Sequence, residues 1–421
     1  MIGENNQNLD DFINQEDLNE KQDELSPDLI NQETPAMAQQ PGQEQPAAEQ
    51  PASDQTNGEL KFEIESFLRL AVKQGVSDIH LRVNSVPVVR KDGTVMKTKY
   101  DIITEEVMDS IMAAIVPSKL QHKIKTSYDF DFSIEIPEVA RFRVNFLKDY
   151  GRPALVMRVV PINIPSIEEL YLPPTLRDFL GYNNGLVLVT GPTGSGKSTT
   201  LATLLNYLNN TNCYHILTLE DPIEFVHRNK KCIFTQRQLG SDSDSFPQSL
   251  KYALRQDPDI ILIGEMRDRE TILSALKAAE TGHLVFSTLH TTDAVQTINR
   301  IINSFEPHER EAIRNQLAAI LKGTIAQRLL KKKDKKGRVP ATEVLVVTPA
   351  ARDYLARNEI EKIYNLVDEG NYSGMMSMNM SMLKLVKANL ITPETAVENS
   401  NNPNEMKQML QGVFHGSKNK A

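Results

Sequence analysis

The sequence predicts an α/β protein: a doubly wound parallel sheet, preceded by a smaller α/β module and, before that, a tail without structure. Three observations carry this prediction. From about residue 181 onward, near-continuous apolar runs alternate with helix-forming stretches, as strands buried on both faces of a parallel sheet require. Residues 59–163 show shorter, alternating strand patterns flanked by two amphipathic stretches. Residues 1–58 are rich in Gln, Glu, Asn and Pro, with Phe12 their only aromatic, too little apolar surface to offset the entropy of ordering.

Composition bounds the function classes. The 421 residues carry a formal net charge of −8, yet residues 1–60 hold fourteen acidic residues and one lysine, a net of −13. The rest of the chain is therefore +5, mildly basic. No apolar run approaches the roughly 18–20 residues that span a bilayer, and the N-terminus lacks the basic start and apolar stretch of a secretory signal. Cys213 and Cys232 are the two cysteines, far from CxxC spacing. That excludes a disulfide scaffold and a four-cysteine zinc site and fits a reducing cytosol, with both thiols expected in the core.

In the first module, Ile64, Phe67, Leu68, Ala71 and Val72 recur at helical spacing and Gly75 closes the helix. Strands are expected over 77–83, 86–90 and 95–99, then a helix over 104–115 with Thr104 as N-cap. Three more alternating strands follow over 128–136, 140–148 and 154–160. Pro161, Pro165, Pro173 and Pro174 mark a linker over 164–180. The second domain, 181–348, has expected strands over 186–190, 215–220, 260–263, 284–287 and 339–348; residues 349–421 read as helices.

The strongest motif is Gly191-Pro192-Thr193-Gly194-Ser195-Gly196-Lys197-Ser198, a match to GxxxxGK[ST]. It stands between an apolar strand and the helix-forming stretch that begins at Thr199. Glycines let successive N–H groups turn inward without a Cβ in the way, and the helix N-terminus adds positive potential. Lys197 would reach the β/γ-phosphates of a nucleotide and the Ser198 hydroxyl would hold Mg²⁺.

Three further segments end strands of the same sheet, where ligands bind in open α/β folds. Glu220, in Leu219-Glu220-Asp221-Pro222, can polarise a water, although an acid there can equally cap a helix or face solvent. Glu265 follows the apolar run Ile260–Ile263 and Gly264; an anion after such a run is placed near Mg²⁺, here through a water. His290 follows the run that ends at Leu289 and could sense a γ-phosphate, or be structural. Arg141 and Arg143 alternate on one strand face, with Arg158 on the next strand. On the residues alone these are either phosphate-reaching guanidinium groups or the wet face of a sheet.

Taken together, these segments resemble, in order and spacing, the Walker A, aspartate-box, Walker B and histidine-box elements of the secretion ATPase superfamily that powers type II secretion and type IV pili. The resemblance covers residues 60–400. It implies a RecA-like P-loop ATPase domain preceded by a PAS-like domain, with ATP and Mg²⁺ as cofactors. It further implies Glu220, Glu265 and His290 as catalytic residues, and Arg141, Arg143 and Arg158 as arginines that stabilise the transition state. Members form homohexameric rings, so a homohexamer is implied.

Within the superfamily the chain looks like the PilT-like retraction motors of type IV pili, because it lacks the four-cysteine module and long N-terminal domain of export and assembly members. That branch implies a cytoplasmic ATPase, peripheral to the membrane, acting on an inner-membrane platform protein, with a retraction-ATPase paralogue as a further possible partner and no nucleic acid. One departure stands out. Where the branch carries the helix pattern AIRNLIRE, this chain has Ala350-Ala351-Arg352-Asp353-Tyr354-Leu355-Ala356-Arg357. Arg352 is kept, but Ala356 replaces the second arginine and Arg357 is turned by about 100°.

Overall fold

The computed structural model describes residues 62–91, 93–334, 337–369 and 373–412. The N-terminal tail, and Lys335 and Lys336 between the last two strands of the second unit, lie outside the described residues. The chain divides into two compact units that meet in sequence at Val160 and Pro161.

In the first unit two helices, α1 (Ile64–Lys73) and α2 (Glu105–Ile115), accompany a six-stranded sheet. Its strands are β1 (Asp78–Arg82), β2 (Val88–Lys91), β3 (Thr94–Lys97), β4 (Asp129–Ile136), β5 (Ala140–Asp149) and β6 (Arg152–Pro161), in the order β3-β2-β1-β6-β5-β4. A short helix, α3 (Lys123–Thr126), precedes β4. The α2 helix starts where expected: the Thr104 hydroxyl accepts the Val107 N–H at 3.3 Å. Alternation along β5 buries Ala140, Phe142, Val144 and Phe146 and leaves Arg141, Arg143 and Asn145 on the other face. The same period in β1 buries Ile79 and Leu81 and leaves Asp78, His80 and Arg82 on the polar side. Phe67, Leu68, Met108 and Ile111 from the two helices complete this core. Truncating Phe142 to Ala there would cost about 3–5 kcal/mol.

The second unit is built on seven strands: β7 (Gly185–Thr190), β8 (His215–Glu220), β9 (Ile233–Gln238), β10 (Ile260–Ile263), β11 (Leu284–Leu289), β12 (Leu321–Lys331) and β13 (Arg338–Val346). Their order is β13-β12-β7-β11-β10-β8-β9; only the β12–β13 pair among them is antiparallel. Every residue of β7, β10 and β11 is buried, and parity decides which face each side chain serves. Leu186, Leu188, Ile261, Ile263 and Val285 pack on one side with α5 (Phe246–Ala253), α6 (Arg269–Glu280), α7 (Ala294–Asn303) and α8 (Arg310–Ile320). Val187, Val189, Ile260, Leu262 and Phe286 pack on the other with α4 (Lys197–Thr211). A sheet covered on both faces is the expected doubly wound arrangement.

The proline-rich stretch read as a linker is not free chain. Ile167, Leu172, Leu176, Phe179 and Leu180, the last three from a 3-10 helix over Pro174–Gly181, are buried in the same core as Val187 and Leu201. Of the two thiols, Cys232 is buried but Cys213 is exposed, against the expectation for both. It sits in the turn between α4 and β8, where no strand or helix face carries it inward.

Beyond β13 run α9 (Pro349–Ala356), α10 (Lys362–Glu369), α11 (Met378–Lys387), α12 (Pro393–Asn399) and α13 (Pro403–Leu410). Met378 and Met382 pack with Leu330, Val339 and Ala341 of the β12–β13 hairpin, so this methionine cluster fills core. Both sheet edges are engaged by the chain's own groups. Val344 of β13 exchanges backbone hydrogen bonds with Met376 at 2.8 and 3.0 Å. At the other edge, Phe234 and Gln238 of β9 donate their N–H groups to the side chains of Asn229 and Asp242, each at 2.9 Å. In α9, Arg357 follows the last helical residue and pairs with Asp353 at 3.0 Å.

Candidate functional site

The C-terminal ends of β7, β8, β10 and β11 carry the residues singled out by the sequence. After β7 the chain turns through residues 191–196 and enters α4 at Lys197. Gly196 caps that helix in the left-handed region at φ 88°, where a side chain would be strained and its Cβ would press on the Gln327 amide. Lys197 Nζ donates to the Gly191 and Pro192 carbonyls at 2.9 and 3.2 Å, and burial pushes its pKa down against the opposing pull of Glu265 and Glu224. Lys197 thus folds back over its own loop at the helix N-terminus. The buried Ser195 hydroxyl oxygen has no protein partner there. This donor set fits a phosphate chain.

Ser198, in the first turn of α4, lines a cavity of about 30 Å³ together with Glu220, His227, Gly264 and Thr288. That is room for one or two waters. Glu220 ends β8. Its Oε1 accepts from the Thr218 hydroxyl at 2.7 Å and from Gln236 Nε2 at 3.4 Å, and its Oε2 from the Glu224 N–H at 3.5 Å. Burial nevertheless holds its pKa above the ordinary carboxylate value, with the Glu224 charge adding to the rise and these hydrogen bonds opposing it.

Glu265 stands two residues past β10. Backbone bonds fix the turn on both sides: Gly264 N–H to Leu219 C=O at 2.8 Å, and Met266 N–H to Thr288 C=O at 3.1 Å. Both carboxylate oxygens of Glu265 are engaged, Oε1 with His290 Nε2 at 3.0 Å and Oε2 with Arg267 Nε at 2.7 Å. His290 and Glu265 are thus brought together, from the ends of β11 and β10. A Mg²⁺ ion would find a hydroxyl at Ser198 and a preoriented carboxylate at Glu265, a hard-oxygen donor set of the right chemistry.

The three arginines belong to the first unit. Arg141 and Arg143 share the polar face of β5. Arg158 of β6 is opposite Asp78 of β1 and pairs with it at 2.9 Å. Burial alone would raise the Asp78 pKa, but the bonds from Arg158 and Ser77 and the charges of Arg158 and Arg90 bring it below its usual value.

Four residues at this site had no role in the sequence reading. Arg267 holds Glu265. Thr218 and Gln236 hold Glu220. Gln327 of β12, buried, accepts from the Thr200 hydroxyl at 2.8 Å and donates to the Ser195 carbonyl at 2.7 Å, bracing the phosphate loop from beneath. Thr218 stood two residues before Glu220, so strand period could have flagged it. Nothing local marks Gln327.

Comparison with known proteins agrees with this architecture. The family described as type II/IV secretion system protein matches residues 54–388. The type IV pilus retraction ATPase PilT of Pseudomonas aeruginosa is 43% identical over 341 residues, covering 81% of this chain and 99% of that protein. A twitching motility protein of Neisseria gonorrhoeae is 42% identical, covering 82% of this chain and 93% of its own length. A crystal structure of the pilus retraction motor PilT with bound ADP superposes with a TM-score of 0.75 at 41% identity, over 83% of this chain and all of the other. With that near end-to-end identity and the phosphate loop built as described, the chain belongs to the type II/IV secretion family and is a PilT-like secretion ATPase.

Proposed function

We propose that this chain is the subunit of an ATP-hydrolysing motor that drives type IV pilus retraction. The observation that carries the reading is the convergence of Lys197, Glu220, Glu265 and His290 on neighbouring strand ends in a chain 43% identical to PilT over nearly that protein's whole length. The motor would be a homohexamer acting on an inner-membrane platform protein, with a paralogue as a further partner. Among the described residues no helix is long and apolar enough to cross a membrane.

In the proposed cycle Lys197 exchanges its two carbonyl partners for β/γ-phosphate oxygens. Ser198, and Glu265 through a water, would hold Mg²⁺, which would supply positive charge to the phosphoryl oxygens. Glu220 orients the attacking water and takes its proton; its raised pKa strengthens it as a base. His290, bonded to Glu265, reports on the γ-phosphate by holding or releasing that carboxylate. Arg141, Arg143 and Arg158 take the role the family resemblance implies, spreading phosphoryl charge. The energy of turnover would be read out as a hinge-type closure.

The test is a count of surface pili on cells whose sole copy carries Lys197→Ala. Surplus pili with lost surface motility are expected. Bald cells would overturn retraction in favour of fibre assembly, and an unchanged count would reduce the chain to an accessory subunit.

A further inference from the structure

The edge strand β9 reaches into the site through one side chain. Gln236 lies opposite Thr218 in the β8–β9 register. Its amide makes three contacts. Oε1 accepts the His227 N–H at 2.7 Å, Nε2 donates to the Phe225 carbonyl at 2.9 Å, and the same nitrogen reaches Glu220 Oε1 at 3.4 Å. One side chain therefore ties the loop after β8 closed across two of its peptide groups and touches the carboxylate that begins it. The His227 ring, stacked on Phe234 at 4.4 Å between centroids, forms the far wall.

The two oxygens of Glu220 are not equivalent in this arrangement. Thr218 bonds Oε1 at 2.7 Å and Gln236 approaches the same oxygen at 3.4 Å, while Oε2 meets the Glu224 N–H at 3.5 Å. A carboxylate anchored through one oxygen presents the other for proton transfer in a fixed direction. We propose that Gln236 is a positioning residue for hydrolysis, holding Glu220 by Oε1 so that Oε2 is the atom that accepts the proton of the attacking water. This deepens the assignment of Glu220 as the base and rests on it. Among charged groups facing Glu220, Glu224 raises its proton affinity; Lys197 lies within reach of that same Glu224. Gln236 contributes a neutral donor to this acidic corner, so replacing it with an acid changes charge without changing shape.

The experiment measures kcat and KM for ATP against pH in the full chain, for wild type and Gln236→Glu. Glutamate keeps the acceptor for His227 and removes the donor from both Glu220 and the Phe225 carbonyl. The expected result is a kcat lower by about tenfold near neutral pH, with the acidic limb moved upward by about one pH unit and KM little changed. Gln236→Met, close in shape and making none of the three contacts, is expected to move the limb in the same direction and serves if the glutamate variant does not fold. A folded variant of either kind with an unmoved acidic limb overturns the proposal, as does a rise in KM with kcat intact. Glu220→Gln is run alongside. If it turns over normally, the base assignment fails and this inference falls with it. If it is inactive while both Gln236 variants behave as wild type, the positioning role alone fails.

Discussion

Glu265 and His290 meet at 3.0 Å across the ends of two neighbouring parallel strands, with Arg267 on the other carboxylate oxygen at 2.7 Å. The carboxylate is thereby fixed by one group from its own segment and one from the next strand over, so any movement of the histidine is felt at the acid. A double-mutant cycle over Glu265→Gln and His290→Ala, read in kcat, is expected to give a coupling of at least about 1 kcal/mol. Additive effects would show that the two residues act separately. Nucleotide binding should survive His290→Ala within about threefold, since the phosphate loop is untouched.

Glu220→Gln and Glu265→Gln test the proposed base against the proposed metal-holding acid. The first should bind ATP normally and lower single-turnover hydrolysis by at least about 100-fold. The second should weaken Mg²⁺ binding, raising the Mg²⁺ concentration for half-maximal turnover. Rapid single-turnover hydrolysis by Glu220→Gln would move the base to Glu265.

Gln327 predicts a stability effect that is also a binding effect. Gln327→Met strands the Thr200 hydroxyl and the Ser195 carbonyl in the interior, each buried group costing about 1–3 kcal/mol. Thermal denaturation should show the loss, and the stabilisation by added ADP should shrink as well, because Ser195 belongs to the loop that holds phosphate. A lowered melting temperature with an undiminished ADP shift would confine Gln327 to the core.

Glu343 supplies a pH dependence. It is buried on β13, accepting the Ala294 N–H at 2.9 Å, and its pKa is pushed from 4.5 to about 7. Burial is the main cause, with the charges of Asp293 and Asp368 adding to it and the Ala294 N–H and Arg328 opposing. The folded chain binds this proton more tightly than the unfolded one. Its contribution therefore makes stability fall as pH rises from about 4.5 to about 7, and level off above. Glu343→Gln should flatten that part of the melting-temperature profile and be more stable than wild type near pH 8 by on the order of 2 kcal/mol. A wild-type slope unchanged in the variant would remove Glu343 as its source.

What the sequence made legible, and what it did not, follows from how far each signal travels along the chain. The phosphate loop is contiguous, and its strand, turn and helix lie next to one another, so the motif carried its own context. Glu220, Glu265 and His290 could each be placed because they follow apolar runs, and strand ends of one parallel sheet lie side by side. Gln327 was invisible because it meets Ser195 across 132 positions, and a glutamine inside a strand announces nothing. Strand β9 was missed for a different reason. As an edge strand of sequence IFTQRQ it lacks the unbroken apolar run that marked its buried neighbours. The prolines of 161–174 suggested a tether, but Leu176 and Phe179 just beyond them pack into the core, and apolar contact outweighed the local signal.

The closed edges of the seven-stranded sheet bear on how copies of this chain can come together. One outer strand is bound by Met376, and the other spends two of its outward amides on Asn229 and Asp242. Open strand borders invite sheets to join into fibres; here those borders are largely occupied before a second molecule arrives. At this sheet, association between copies would then fall to side chains on helices and loops rather than to strand pairing. In the proposed homohexamer such joints would leave subunits free to change their fit at each turnover, as a β-zipper would not.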